Sequence, residues 1–123
     1  MISAIQKNDP NALILIMADH GGFVGLEYTG QIYEKTEDPL VIRSIFSSIL
    51  AIHWPNGEAP VFDGKFKSTV NTFRILFAHL GNEPAYLDHL QEDGSYVVIK
   101  DGAPNGIYQY INGAGEIVFK KQE

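Results

Sequence analysis

The sequence predicts an α/β fold that ends in an α+β tail. Three observations favour this class: an early run of large apolar residues, two central segments with helical apolar spacing, and three short strand-like segments near the end. The predicted order is a buried strand, a loop, two main amphipathic helices and a C-terminal three-stranded antiparallel meander. We expect residues 1–93 to hold the strand, the loop and the helices. Residues 94–123 are expected to form the meander, packed on them within one compact unit.

Composition and charge limit the kinds of partner that the chain can have. Its 123 residues, 45% hydrophobic and 20% charged, suit a single globular domain. The net charge of −6 disfavours nucleic acid, because binding to phosphates depends on Lys and Arg. No cysteine is present, which excludes disulfides, thiolate metal sites and a Cys nucleophile. No apolar run approaches the ~20 residues that span a bilayer, and residues 1–10 lack the regions of a signal peptide.

Residues 13–17 are predicted to form a strand buried on both faces. Five large apolar residues follow one another there without alternation, which is typical of a strand with helices packed on either side. Residues 1–8 show weak helical spacing and are expected to form a short helix before it. Such a strand usually has parallel neighbours, and this short chain offers few. We therefore also expect the chain to pair edge to edge or to form a symmetric oligomer.

Asp19 and His20 follow this strand, and strand ends are where α/β proteins usually bind ligands. A carboxylate and an imidazole are both good ligands for zinc or manganese. Neighbouring side chains on a regular strand point to opposite faces, so the two can share one ion only if the backbone turns. Gly21 and Gly22 permit such a turn and a close approach of the backbone. The alternative is that Asp19 and His20 only cap the next turn.

Residues 23–38 are expected to form a loop that borders this site, with a short helix or strand near residues 30–33. Tyr28 in this loop is a weak candidate for contact with a substrate. The alternative is a half-buried tyrosine with no ligand, which is the commoner situation.

The first main helix is predicted to begin at Asp38, as N-cap, and Pro39, as the first helical residue. Apolar residues recur every three or four positions from there to about Ile52, which extends the predicted helix that far. His53 then lies at its end, and we interpret it as a capping or packing residue in preference to a metal ligand.

The second main helix is predicted to be capped by Ser68 or Thr69 and to run to about Leu80. Arg74 is assigned to its polar side together with Asn71. Arg74 is a weak candidate for binding a substrate phosphate or sulfate, and the alternative is a structural bond to a carboxylate. The stripe expected to be buried consists of Val70, Phe73, Leu76, Phe77 and Leu80.

The C-terminal meander is predicted from alternating or apolar segments separated by turns rich in glycine. Tyr108 and Tyr110 share one face of the middle strand, and we expect this face to cover the helices. The alternative is a tyrosine-lined surface for a carbohydrate or a lipid headgroup. The three predicted strands are residues 96–100, 107–111 and 116–120.

Two parts of the sequence resemble a known superfamily. Ala18-Asp19-His20-Gly21, after an apolar strand, looks like the late metal-binding motif of the alkaline phosphatase superfamily, particularly its sulfatase-like hydrolases and membrane-associated phospho-group transferases. Residues 44–55 and 68–77 are similar in order and spacing to the C-terminal part of bacterial sulfatase-like proteins. The resemblance covers residues 13–93 and implies the C-terminal part of an alkaline phosphatase-like sheet.

The resemblance also implies a function for a larger parent chain. Asp19 and His20 would be two ligands of a divalent zinc, manganese or calcium ion in the complete enzyme, which acts on phosphate or sulfate esters. Such enzymes also need an upstream acidic ligand and a Ser, Thr or modified Cys nucleophile, so no catalytic residue is expected here. We expect the chain alone to be inactive, with or without a bound ion.

The implied partner is the upstream remainder of the parent, on the extracytoplasmic side of a bacterial membrane if the parent is like its relatives. Two alternatives stay open. One is a non-catalytic binding or structural module that retains part of the fold. The other is an α+β domain whose resemblance to the superfamily is accidental.

Overall fold

A computed structural model describes all 123 residues. The architecture is mixed α/β, as predicted, with two antiparallel sheets. The helices are α1 (Ile2–Asn8), α2 (Pro39–Phe46) and α3 (Thr72–Leu80). The strands are β1 (Ile14–Met17), β2 (Leu50–His53), β3 (Ser95–Ile99), β4 (Gly106–Ile111) and β5 (Ile117–Lys121). Short 3₁₀ helices occupy Thr29–Tyr33, Pro55–Gly57, Asp63–Lys65, Thr69–Asn71 and Pro84–His89.

The chain divides into two compact units, each built from two separate stretches. Unit 1 comprises Met1–Ala18 and Ile49–Leu90, and it contains α1, β1, β2 and α3. Unit 2 comprises Asp19–Ser48 and Gln91–Glu123, and it contains α2 and the three C-terminal strands. No helix in either unit has the length and the hydrophobicity needed to cross a bilayer.

The strand predicted to be buried on both faces is instead half of a small two-stranded sheet. β1 pairs antiparallel with β2, so that Ile14 lies opposite His53 and Met17 lies opposite Leu50. Ile16 is 38% exposed and Met17 is 36% exposed. The prediction of a doubly buried strand with parallel neighbours was therefore wrong. An apolar run does not by itself distinguish a fully buried strand from a strand in a thin sheet.

The first main helix begins as predicted and ends six residues early. The Asp38 side chain accepts a hydrogen bond from the backbone N of Leu40 at 2.8 Å, and Pro39 is the first helical residue. The helix ends at Phe46, since Ser47 has an extended backbone. The predicted extension to Ile52 was wrong, because that segment pairs with β1.

His53 consequently lies in a strand and not at the end of a helix. Its Nδ1 is 3.3 Å from the carbonyl oxygen of Ala12, which belongs to the segment that leads into β1. The apolar residues of this segment fit helical spacing, but they also suit a strand, and the hydrogen bonds to β1 decide between the two. The expected capping role at a helix end was therefore wrong, and His53 is a half-buried residue at the end of β2.

The second main helix lies where it was predicted but buries another face. The Ser68 hydroxyl accepts a hydrogen bond from the backbone N of Val70 at 3.2 Å, and a 3₁₀ turn leads into α3. Of the predicted stripe only Leu76 is buried; Val70, Phe73, Phe77 and Leu80 are exposed. The buried residues are Asn71, Thr72, Ile75, Leu76 and Ala78. Small and polar side chains form much of this face, and a search for large apolar residues does not detect them.

Trp54, directly after β2, provides unit 1 with a buried aromatic centre. It is 5% exposed, and its indole N–H donates to Asp63 Oδ1 at 2.8 Å. Its ring lies 4.8 Å from that of His79 and 5.9 Å from that of Phe66. The polar end of the indole is thus satisfied while the ring is packed.

The predicted meander is confirmed, with strand bounds that shift by one residue. β4 is the middle strand and pairs antiparallel with β3 and β5. Tyr108 and Tyr110 are buried as expected, and the Tyr110 ring stacks on Phe46 of α2 at 5.6 Å. The core of unit 2 contains Ile42, Ile99, Tyr108 and Tyr110. Because both tyrosines are buried, they do not form an exposed ligand-binding face.

Candidate functional site

Asp19 and His20 lie side by side on the surface of unit 2, in the loop that follows β1 in the chain. Their side chains are 90% and 55% exposed, and His20 Nε2 is 3.8 Å from Asp19 Oδ1. The structure therefore brings the two predicted metal ligands together. Both side chains are open to solvent and accessible to an ion.

The His20 ring is held by a contact that leaves one nitrogen available. Its Nδ1 is 2.6 Å from the carbonyl oxygen of Gly21. A carbonyl can only accept, so Nδ1 carries the proton and Nε2 of the neutral ring has a free lone pair. Metal-binding histidines are commonly oriented in this way, with the other ring N–H donated to a backbone carbonyl. The ring also stacks on Phe23 at 5.1 Å.

Asp19 also bonds to the backbone of the motif, through Oδ1, which accepts a hydrogen bond from the His20 N at 3.1 Å. Ligand atoms that each lie 2.0–2.2 Å from one zinc ion are roughly 3–3.5 Å apart. The observed 3.8 Å between Oδ1 and Nε2 is close to that range. The two atoms are therefore near the separation that one shared ion would require, and no group of three or more His, Cys, Asp or Glu side chains in the chain is arranged to hold an ion.

Gly21 is required at the site for a reason of space. Neither Gly21 nor Gly22 has a positive φ. Gly21 N donates to the carbonyl oxygen of Ile45 at 2.9 Å, at the C-terminal end of α2. A Cβ on Gly21 would lie 2.9 Å from that oxygen, 2.8 Å from Ser47 O and closer still to Ser44 O. The glycine lets the motif approach the last carbonyls of the helix, which otherwise lack partners.

Ser44 adds two further bonds between α2 and the motif. Its hydroxyl donates to the carbonyl oxygen of Gly22 at 2.8 Å and accepts from the backbone N of Val24 at 3.0 Å. The loop that carries Asp19 and His20 is therefore fastened to the helix by three hydrogen bonds, including that of Gly21. Such fastening limits the conformations available to the loop.

Tyr28 is paired with a carboxylate within its own loop. Its hydroxyl donates to Glu34 Oε1 at 2.6 Å. This hydrogen bond, followed by the negative charge of Glu34, raises the pKa of the Tyr28 phenol. A cleft of 260 Å³ lies beside Glu34 and is also lined by Gln31, Lys35 and Asp38, whereas Tyr28 is not among its lining residues.

Arg74 belongs to unit 1, where its guanidinium bonds to the 3₁₀ turn that leads into α3. Nη1 donates to the carbonyl oxygen of Val70 at 3.2 Å, one turn earlier. Arg74 is half-buried and forms no ion pair with a carboxylate, so the structural bond considered from the sequence is not formed. The bond to Val70 fixes the side chain along the helix.

A polar cluster around Glu92 has no counterpart in the sequence-based predictions. The amide of Gln109, which is 7% exposed, donates to Glu92 Oε1 and to the Tyr96 hydroxyl, at 2.9 Å each. The bond from Gln109, with further bonds from the Gly113 backbone and from Tyr96, lowers the pKa of the Glu92 carboxyl. Gln109 is 17 positions from Glu92 and 13 from Tyr96, so local pattern gives no sign of the cluster.

The chain matches no protein-family model, no curated protein and no solved structure. The assignment of the candidate site is therefore supported only by its geometry and by the resemblance of residues 18–21 to a metal-binding motif.

Proposed function

We propose that this chain is the C-terminal segment of a metal-dependent sulfatase-like hydrolase or phospho-group transferase of the alkaline phosphatase superfamily. In this proposal Asp19 and His20 are two of the ligands of a divalent cation. The observation that carries it is the orientation of His20: the Gly21 carbonyl holds Nδ1, and Nε2 is left free 3.8 Å from Asp19 Oδ1.

The cation would stabilise the hydroxyl nucleophile and the charge that develops on the phosphoryl or sulfuryl oxygens. The residues of this chain have a narrower task. Asp19 and His20 would provide two ligand atoms for the cation, and the hydrogen bonds of Ser44 and Gly21 hold their loop against α2. The remaining ligand and the nucleophile would come from the upstream remainder of the parent chain. The chain alone is therefore expected to leave phosphate and sulfate monoesters unhydrolysed.

The experiment that tests this proposal compares two Asp-His pairs of the same chain. Asp88 and His89 form a second exposed pair, in unit 1, and provide a matched control. Mn²⁺ is titrated into the protein while the ring signals of all four histidines are followed by NMR. We expect the His20 signals to broaden first, with weak affinity, because two protein ligands leave most coordination positions to water.

The variant Asp19→Ala, which retains the His20 ring as reporter, should lose this selective response, and the matched variant Asp88→Ala should keep it. Equal broadening of all four histidines in the unmodified chain would contradict the metal-ligand assignment. Persistence of the selective His20 broadening in the Asp19→Ala variant would also contradict it.

A second candidate function is a non-catalytic binding or structural module, and one observation favours it. Asp19 Oδ1 and His20 Nδ1 are both engaged by the backbone of their own motif. If the pair is structural, these bonds are its whole role. The Mn²⁺ experiment separates the two, since a module predicts no selective broadening but a loss of stability in the Asp19→Ala/His20→Ala variant.

A further inference from the structure

β1 has an outer edge that no other segment pairs with. Ala18 N donates to Ile49 O at 3.0 Å, and the register places Ile16 opposite Ala51 and Ile14 opposite His53. In an antiparallel ladder alternate residues bond to the same neighbour. The N–H and C=O groups of Leu15 and Met17 therefore point away from β2. The structure contains no hydrogen bond from these groups to another segment.

Unpaired strand edges in natural proteins usually carry charges, prolines or bulges that prevent further pairing. The β1 edge has none of these, because no ionisable residue or proline occurs in residues 11–18. The other edge of this sheet is less suitable, since β2 ends at His53 and is soon followed by Pro55, which has no N–H.

The sheet of unit 2 protects its edges by these usual means. On the β3 side, Lys100 N donates to Tyr33 O at 2.8 Å and Lys35 N donates to Asp101 O at 2.9 Å, so a neighbouring loop covers the end of the strand. On the β5 side, Lys120 and Lys121 place charges on the outer strand. The absence of such protection on β1 distinguishes this edge from the others.

We propose that the outer edge of β1 is a pairing site for β1 of a second copy of this chain. Antiparallel pairing about a two-fold axis at Leu15 makes the two Leu15 residues exchange their N–H and C=O groups and places Leu13 opposite Met17 of the second copy. The paired segments contain no charged side chain, so no like charges face each other across this edge. The result is a four-stranded sheet in the order β2-β1-β1-β2.

This register defines which engineered cysteines can join the two copies. Residues at position 15 would have Cα atoms about 5.5 Å apart, within the range of a disulfide. Residues at position 13 would be ~14 Å apart, which is out of range. The natural chain has no cysteine to interfere. Leu15→Cys and Leu13→Cys are therefore chemically matched variants that differ only in their expected distance.

The experiment measures mass by light scattering from ~10 to ~300 µM, because short pairing surfaces form weak, transient contacts. We expect a concentration-dependent dimer, loss of that dimer in Ile16→Lys with unchanged circular dichroism, and at least about tenfold faster cross-linking of Leu15→Cys than of Leu13→Cys. A strictly monomeric chain over this range would overturn the proposal. Equal cross-linking of the two cysteine variants would also overturn it.

A dimer abolished by Phe77→Asp and unaffected by Ile16→Lys would place the interface on the exposed face of α3 and would equally overturn the proposal. Pairing at this edge requires no metal ion, so a failure of metal binding at Asp19 and His20 would leave the expected dimer unchanged.

Discussion

The two sheets of this protein differ in how many of their residues are buried and in how well their edges are protected. The three-stranded sheet of unit 2 contains Ile99, Tyr108 and Tyr110, all buried, and its edges are covered by a loop or carry lysines. The β1–β2 sheet contains no fully buried residue. Two-stranded sheets are marginal in isolation. An apolar sequence alone therefore does not make a sheet self-sufficient, because the number of neighbouring strands decides which residues are buried.

The strongest test of this contrast removes one large side chain from each sheet. Tyr110 is 2% exposed, and its hydroxyl accepts a hydrogen bond from the backbone N of Thr36 at 3.1 Å. Tyr110→Ala should lower the free energy of unfolding by about 3–5 kcal/mol, since it creates a cavity and removes a partner. Ile16→Ala, in β1, should cost less than about 1 kcal/mol.

Urea unfolding followed by circular dichroism measures both variants at a protein concentration low enough to exclude association. If Ile16→Ala costs as much as Tyr110→Ala, the β1–β2 sheet supports the fold to the same degree and the contrast fails.

The motif that follows β1 in the chain belongs to unit 2, and two glycine substitutions test whether it packs on α2. Gly21→Ala should lower the free energy of unfolding by about 2–3 kcal/mol, because a methyl group would collide with the last carbonyls of α2. Gly22→Ala is the matched control, since its Cβ would meet Val24 at an ordinary 3.6 Å. Thermal unfolding should separate the two variants, and equal melting temperatures would show that the motif does not pack on α2.

A smaller change is expected at the polar cluster of Glu92, Tyr96 and Gln109 in unit 2. Because the folded state lowers the pKa of Glu92, this group contributes stability above the unfolded pKa of about 4.3 and loses it as the pH falls through the lower folded value. Glu92→Gln should therefore weaken the acid dependence of the urea midpoint below about pH 4.3. Glu58→Gln, at an exposed position in unit 1, is the control. An unchanged acid dependence in Glu92→Gln would show that Gln109 does not favour the ionised carboxylate.

The elements that the sequence predicted well depend on local chemistry. The meander was placed within one residue because alternating segments and Gly-containing turns lie next to each other in the chain. The start of α2 was likewise placed correctly from Asp38 and Pro39. In both cases the residues that determine the structure are within a few positions of it.

The elements that were predicted wrongly depend on contacts between distant residues. The segment that forms β2 fits helical spacing, and only its pairing with β1, more than thirty residues away, makes it a strand. Thr72 in α3 and Asn71 directly before it are both buried, and their burial is set by packing and not by hydrophobicity. At the candidate site, the proximity of Asp19 and His20 was expected, whereas the contact of Gly21 with α2 was not visible in the sequence.

The buried position of Trp54 has a practical consequence for solution work. It is the only tryptophan of the chain and lies in unit 1, whereas the buried tyrosines Tyr108 and Tyr110 lie in unit 2. The fluorescence of Trp54 therefore reports on unit 1, and the near-UV circular dichroism of the buried tyrosines reports on unit 2. Coincident transitions of both signals would indicate one cooperative melting event, and separate transitions would reveal an intermediate in which only one half is ordered.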